Sequence, residues 1–482
     1  MSLIETADEY FCIANSYFWG ITFVFLIGLG LVFTFKLKGL QLLKIKETST
    51  LALSGVSEGK ENKRISSFEA FCIGMGARIG VGNIAGVGAA IAAGGPGAIF
   101  WMWIFAIIGS ASSFMESTLA QIYKEKKEDG HYYGGPAYYA SKGLKSKALG
   151  VVVALLMILT FGVGFIAVQA NAASSNLCNA FQFDNNNYVF AAIIAIVAAI
   201  LIFKGLKLIA AFASKVVPIM AVAWIVFAII MICMNIGNVP NAFYMIFANG
   251  LAIDSVIGGG LGIMVVNGLK RGVFSNEAGL GSVANVAASA DVKHPVKQGL
   301  IQSFGVLVDT LLVCTLSALV ILTVSDSWTG IVGNLGGSGK VFVSNAANIA
   351  FDEVGKIIVA LFLCVFAFTS LIGYYTMSES NARFIKDDKK VILCVKALVI
   401  IIAFWAAAQG IGGSPAEITF MDDFSDTFMA LMGAVNIFIV ALLSRQVFAA
   451  YADYRAQKKA GIEEPEFHRS VLDNADGVTE WE

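Results

Sequence analysis

Long apolar runs separated by short polar connectors set the pattern of this chain. Runs long enough to cross about 30 Å of hydrocarbon as helix fall near residues 17–36, 68–93, 98–122, 148–174, 188–203, 208–233, 240–269, 299–324, 356–382, 391–409 and 424–447. The pattern predicts an all-α polytopic membrane protein of about eleven transmembrane helices. Two runs are interrupted. Residues 71–98, FCIGMGARIGVGNIAGVGAAIAAGGPGA, place Gly76, Gly80 and Gly82 beside Arg78 and Asn83 near the centre of a span. Glycine weakens a helix by roughly 1 kcal/mol relative to alanine, so this span is expected to unwind there. The seventh run has the same character after Pro240, passing through Asn249-Gly250, Asp254 and Gly258-Gly259-Gly260 before resuming as LGIMVVNGL.

The two interrupted runs lie five spans apart. Five is odd, so if spans 2–6 and 7–11 are structural copies, one copy is inverted in the membrane relative to the other. Secondary transporters built this way place their site at the midplane between the two broken helices. The expected organisation is residues 1–66 as an N-terminal extracellular segment, an extra helix and a basic cytoplasmic loop; 67–238 as the first repeat; 239–448 as the second; and 449–482 as a cytoplasmic tail.

Composition agrees with a membrane protein. The 482 residues are 57% hydrophobic and only 14% charged, with 36 Phe and 49 Gly. The net charge of −1 hides an asymmetry. Connectors 36–67, 124–147, 270–297 and 383–396 and the tail after Arg445 are rich in Lys or Arg, whereas 175–187, 234–239 and 410–423 have none. The positive-inside rule then puts the N-terminus outside and the C-terminus in the cytoplasm, in the cell membrane. Acidic Glu5, Asp8 and Glu9 at the start argue against a cleaved signal peptide. Seven scattered Cys suggest neither a disulfide framework nor a metal site, and nothing indicates a nucleic-acid partner.

Unwound backbone inside a membrane is tolerated only where it is buried in protein or lines a cavity. The Gly80-Val81-Gly82 stretch is not a dinucleotide fingerprint, because no strand precedes it and the spacing is wrong. Close packing through Gly82-x-x-x-Gly86 leaves Arg78 and Asn83 unexplained. As a helix break, amides at Val81 and Gly82 would face an anion at a half-helix N-terminus, and the Gly76 and Ile79 carbonyls would be free for a cation. Thr369 and Ser370 in the ninth span offer hard oxygens, although such hydroxyls commonly bond back to their own helix. Asp309 lies inside the eighth span and is a functional candidate by cost alone; it could hold a second cation with Asn83 or pair with Arg78. Gln169 and Asn171 could be interhelical glue. Asp254 could bind an ammonium group or lie at the outer mouth. Glu116 is expected to pin unwound backbone, and Asn276 and Glu277 to cap a helix and gate the inner side.

The segments ARIGVGNIAGVG (77–88), GGPGAIFWMWIFAIIG (94–109), VQAN (168–171), RGVFSNEAGLGS (271–282), HPVKQG (294–299) and VDT (308–310) resemble the sodium:alanine symporter family over roughly residues 65–450. That resemblance implies a LeuT-like five-plus-five inverted repeat and sodium-driven import of a small neutral amino acid, with Na+ as coupling ion and no organic cofactor. It also implies a sodium site of the Gly76, Ile79 and Phe366 carbonyls with the Thr369 and Ser370 hydroxyls, a possible second sodium at Asn83 and Asp309, and a substrate contact for Gln169. Two departures border the expected substrate side chain: Val81 stands where threonine is expected, and Tyr374 where tryptophan is expected. Alanine and glycine therefore lead, with serine and glutamine open.

Two rival readings remain within the membrane class. One is proton coupling through Asp309, Asp254 or Glu116; the other is a passive amino-acid channel or facilitator. An enzyme lacks support, since there is no H-E-x-x-H, no G-x-S-x-G and no paired catalytic constellation. The three His all fall in connectors or the tail, which argues against a histidine proton relay.

Overall fold

The computed structural model describes residues 3–58, 64–182, 188–251, 261–336, 339–409 and 415–482. A first helix, α1 (Leu3–Lys36), is followed by α2 (Ile45–Glu58) and α3 (Ser67–Arg78). Helix α3 starts where Ser66 and Glu69 form a reciprocal cap, the Ser66 side chain accepting the Glu69 N–H and the Glu69 carboxylate accepting the Ser66 N–H. It stops at Ile79 (φ −73°, ψ 83°), and after a single 3-10 turn at Val81–Asn83 the span resumes as α4 (Ala85–Gly94). The expected break in the second span is therefore present.

Next come α5 (Gly97–Ile122), a two-stranded antiparallel hairpin of β1 (Glu125–Lys126) and β2 (Tyr132–Tyr133), α6 (Pro136–Gly143), α7 (Lys147–Phe181), α8 (Tyr188–Lys204) and α9 (Leu206–Met234). The second half holds α10 (Val239–Gly250), α11 (Leu261–Asn276), α12 (Ser282–Ala288), α13 (Pro295–Leu322), α14 (Trp328–Leu335), α15 (Phe342–Ile385), α16 (Lys389–Gln409), α17 (Pro415–Leu442) and α18 (Ser444–Lys459). Two long helices carry π-helical stretches, Ile158–Phe165 in α7 and Val308–Cys314 in α13. Such bulges often accompany functional sites, and the second contains Asp309. Helix α1 lies along α17, α5 along α13, and α7 against α15 and α16. Among the described residues, eight helices are long and apolar enough to cross a membrane, with Tyr188–Lys204 a shorter apolar one.

Two expectations change. Helix α1 begins near Leu3 rather than residue 17. The seventh span was expected to break around Asn249–Gly260; Asp254 and the Gly258–Gly260 run lie outside the described residues, and Asn249-Gly250 close α10. A clear interruption also separates α11 from α12. Glu277, Gly279 and Gly281 all take positive φ (56°, 84° and 73°), a conformation that glycine adopts without a Cβ clash. The sequence reading does not anticipate this interruption, and the reason is electrostatic. Lys270 and Arg271 read as a membrane exit, but Asp426 of α17 neutralises them within the fold (Lys270 Nζ–Oδ2 2.5 Å, Arg271 at 3.8 Å). Residues 270–276 therefore remain in the helix, and Asn276 and Glu277 do not cap it beyond the membrane exit but are fully buried at the break.

Candidate functional site

The break in the second span faces α15. Ser370 donates its hydroxyl proton to the carbonyls of Gly76 (2.9 Å) and Ala77 (3.1 Å), and Thr369 donates to the Phe366 carbonyl (2.9 Å). A Cβ on Gly76 would lie 3.4 Å from Thr369 Cβ, so the helices touch there because residue 76 has no side chain. Backbone and hydroxyl oxygens from two helices thus converge in a buried place, and Ile79 ends α3 with its carbonyl turned off the helical ladder. Oxygen-only donor sets of this kind suit a hard cation.

The two breaks are tied to one another. Arg78, 1% exposed, donates through Nε to the Asn276 carbonyl (2.9 Å), through Nη1 to the Gln302 carbonyl (2.9 Å) and through Nη2 to Ser113 Oγ (2.9 Å). Arg78 makes no direct ion pair with Asp309. Asp309 instead collects neutral donors: Asn83 Nδ2 at 2.6 Å on one oxygen, Ser275 Oγ at 2.8 Å and Thr310 Oγ1 at 3.0 Å on the other. Cys314 Sγ lies 3.3 Å from Asn83 Nδ2. Asn83 also accepts the Gly80 N–H at 3.0 Å, holding the turn of the break. The expected meeting of Asn83 and Asp309 is present, with the amide nitrogen toward the carboxylate.

Gln169 reaches the break directly, its Oε1 accepting the Val81 N–H at 2.9 Å. It occupies the amide expected to receive an anion. Gly80 allows this approach, since a Cβ there would stand 2.5 Å from Ser370 Oγ and 2.8 Å from Gln169 Nε2. A Cβ on Gly82, whose amide is expected to face an anion, would meet the Phe274 ring at 3.0 Å. Tyr374 donates to the Ala77 carbonyl (3.0 Å) and packs on Phe161 and Phe165, and Phe165 stacks on Phe274 at 4.7 Å. Asn171 donates to the Ala406 carbonyl of α16 (3.1 Å), which is the interhelical role, yet it also faces the cavity above the break. That cavity, about 480 Å³, is lined by Val81, Gly82, Asn171, Phe274, Arg271 and Lys340 among others. Lys340 pairs with Asp422 at its rim (2.5 Å).

Glu116 pins unwound backbone, that of the second break: Oε2 accepts the Gly281 N–H and Asn436 Nδ2, each at 2.9 Å. Glu277 accepts from Ser282 Oγ at 2.6 Å, and Asn276 donates to Thr310 Oγ1 at 3.0 Å. Sequence reasoning placed Ser275 with Asn276 and Glu277 in a helix cap and inner gate, and it missed Phe274, Cys314 and Asn436. Only the location of the second break would have exposed Phe274 and the contact of Ser275 with Asp309, and that signal was masked by Lys270-Arg271.

Comparison with known proteins adds to this geometry. The sodium:alanine symporter family model matches residues 4–469. The chain is similar to the probable sodium/glutamine symporter GlnT of Bacillus subtilis (strain 168), 43% identical and covering 97% of this chain and 95% of that one. It is also similar to the amino-acid carrier protein AlsT of the same organism, at 39% identity over 98% and 97% of the two chains. Among solved structures, MhsT in complex with L-phenylalanine superposes with a TM-score of 0.56 at 15% identity, covering 79% of this chain and 90% of that one. At that identity the likeness shows the shared LeuT-like fold.

Proposed function

The chain belongs to the sodium:alanine symporter family, and on that premise we propose that it imports a small neutral amino acid, alanine or glycine, coupled to sodium by alternating access. It is an amino-acid cation symporter and not an enzyme. The observation that carries the ion assignment is the Ser370 hydroxyl against the Gly76 and Ala77 carbonyls. The hydroxyl proton sits among carbonyl oxygens where a cation would be attracted. A sodium ion held by the Gly76, Ile79 and Phe366 carbonyls and the Thr369 and Ser370 hydroxyls would take the place of these hydrogen bonds, each O–H turning its oxygen lone pair to the ion, and would bind α3 to α15, coupling the ion to the position of the broken helix.

The substrate reading rests on the neighbouring amides. A carboxylate at Val81 and Gly82 requires Gln169 to release the Val81 N–H, after which its amide is free to contact the substrate. The 480 Å³ cavity above the break supplies the approach. A second sodium at Asn83 and Asp309 requires the Asn83 amide to turn its oxygen to the ion. Asp254 stays a candidate for the substrate ammonium on sequence grounds alone, and the repeats, 67–238 and 239–448, stay as read from the sequence. Eleven crossings with the N-terminus outside and the C-terminus cytoplasmic in the cell membrane complete the proposal.

A second substrate, glutamine, is favoured by the 43% identical relative's name and by Tyr374 in place of tryptophan. Uptake of labelled alanine into proteoliposomes under sodium, lithium or proton gradients imposed singly tests the coupling, with unlabelled glycine, serine and glutamine as competitors. Accumulation driven by sodium and blocked by alanine or glycine supports the proposal. Accumulation that follows only the proton gradient, or equilibration without accumulation, overturns it; competition by glutamine alone selects the second substrate.

A further inference from the structure

On the side of the molecule that carries the 124–147 and 383–396 connectors, a second cavity of about 520 Å³ opens between the α8/α9 turn, the α15/α16 turn and the β1–β2 hairpin. Its lining is basic, and its cations divide into two groups. Arg383 is fully engaged, bonded to Glu379 and Asp387 at 2.8 Å and to Asp129 at 3.2 Å, and Lys207 pairs with Glu69 at 2.8 Å. Lys204, Lys389 and Lys396 line the same cavity, and among the described residues none of the three has a carboxylate within ion-pair distance. Lys396 Nζ only overlies the Phe203 ring, 5.2 Å from its centroid. The acidic groups at the cavity, Asp129 and Glu379, are those already committed to Arg383.

The surroundings say what kind of ligand would meet these ammonium groups. Phe203 and Leu393 line the cavity and are 56% and 53% exposed, and Leu208 just beyond is 45% exposed. Lys204 ends the apolar helix α8, and Lys389 begins α16, so the lysines mark the level where apolar helix surface gives way to polar connectors. Three unpaired cations above an exposed apolar flank, at the ends of membrane helices, match an amphiphile with an anionic head and acyl chains. Lys and Arg flanking such helices interact favourably with an anionic leaflet, and a pocket adds positional selectivity to that field.

We propose that Lys204, Lys389 and Lys396 form a binding site for the phosphodiester headgroup of an anionic phospholipid, with Phe203 and Leu393 in contact with its acyl region. Headgroup binding would bridge the ends of α8 and α16, two helices that pack on each other. None of the lining residues belongs to either break, so the proposal stands whichever ion drives transport.

The shared chemistry of a lipid headgroup and free phosphate is separated by adding each to the purified full-length protein in neutral detergent. Short-chain phosphatidylglycerol should raise the thermal unfolding midpoint by a few degrees, whereas phosphatidylcholine of equal chain length and inorganic phosphate should not. The triple variant Lys204→Gln, Lys389→Gln, Lys396→Gln should lose the rise. Changing all three to Arg should keep it, as should a control triple at exposed lysines elsewhere, Lys126→Gln, Lys147→Gln, Lys459→Gln. If the glutamine triple does not fold, native mass spectrometry of the wild type in an equimolar mixture of the two lipids decides, preferential retention of phosphatidylglycerol supporting the site. An equal response to both lipids, a rise preserved in the glutamine triple, or a rise produced equally by inorganic phosphate overturns the proposal.

Discussion

Gln169 Oε1 accepts the Val81 N–H across 2.9 Å, joining α7 to the unwound turn of the second span. The contact places a neutral acceptor on the amide that the proposed substrate carboxylate needs. Gln169→Ala should weaken alanine binding by about 1–3 kcal/mol, the cost of leaving a buried polar partner unpaired. Gln169→Glu should be worse, because a carboxylate would hold the same N–H more tightly and repel the substrate. Binding titrations of the three proteins at saturating sodium check the order; equal affinities would remove Gln169 from the site.

Removing a sodium ligand should act on the ion first. Thr369→Ala and Ser370→Ala should raise the sodium concentration for half-maximal uptake, while Thr369→Ser and Ser370→Thr keep an oxygen and retain most of the dependence. Linkage then requires weaker amino-acid binding at fixed sodium in the alanine variants. Unchanged sodium curves in both would move the ion elsewhere.

Gly80 is the position where the break cannot accept a side chain. Its Cβ would meet Ser370 Oγ at 2.5 Å and Gln169 Nε2 at 2.8 Å, whereas a Cβ on Gly86 meets nothing within 4 Å. Gly80→Ala should abolish uptake and destabilise by about 1–3 kcal/mol through overpacking, and Gly86→Ala should leave the protein stable. Thermal midpoints alongside transport assays separate the two effects.

Arg78 has only neutral hydrogen-bond partners, while the carboxylates of Glu277, Asp309 and Glu116 act on it from beyond direct contact. Arg78→Gln leaves three buried acids without their cation and should cost about 3–5 kcal/mol. Glu277→Gln added to it should recover part of that loss. A double variant no more stable than Arg78→Gln alone would show that the charges are not coupled.

The tail after α18 docks on two connectors. Trp481 Nε1 donates to the Gln121 carbonyl at 3.0 Å, Lys124 Nζ overlies the Trp481 ring at 4.6 Å, and His294 sits between the Tyr454 and Phe467 rings with Asp453 at 3.3 Å. Burial pushes the His294 imidazole down to about 4, with Asp453 opposing. A neutral buried imidazole contributes stability above its ordinary value of 6.5, and that contribution is lost as pH falls from 6.5 toward 4. Limited proteolysis of the tail should therefore speed up between pH 7 and pH 5, and His294→Phe should flatten that dependence. Trp481→Ala should expose the tail at pH 7 as well.

Much of this architecture was legible in the one-dimensional pattern. Apolar length marked the spans, and clustered glycines marked the first break, because glycine's helix penalty acts locally and can be summed along the chain. The pairing of Asn83 with Asp309 and the approach of Ser370 to Gly76 were reached through family resemblance, since no local rule links residues 226 or 294 positions apart.

What the sequence by itself determined is the membrane class and the place where the second span unwinds, consequences of local hydrophobicity and backbone propensity, together with the family, which its motifs resemble. Only the tertiary structure decided the second break. Lys270 and Arg271 look like a boundary with water until Asp426, more than 150 positions away, neutralises them; the span then continues to Asn276 and unwinds at Glu277–Gly281, where Glu116 and Asn436 arrive from two other helices to satisfy the freed backbone. The cost of a charge in a membrane depends on its partner, and a partner distant in sequence is visible only in the fold.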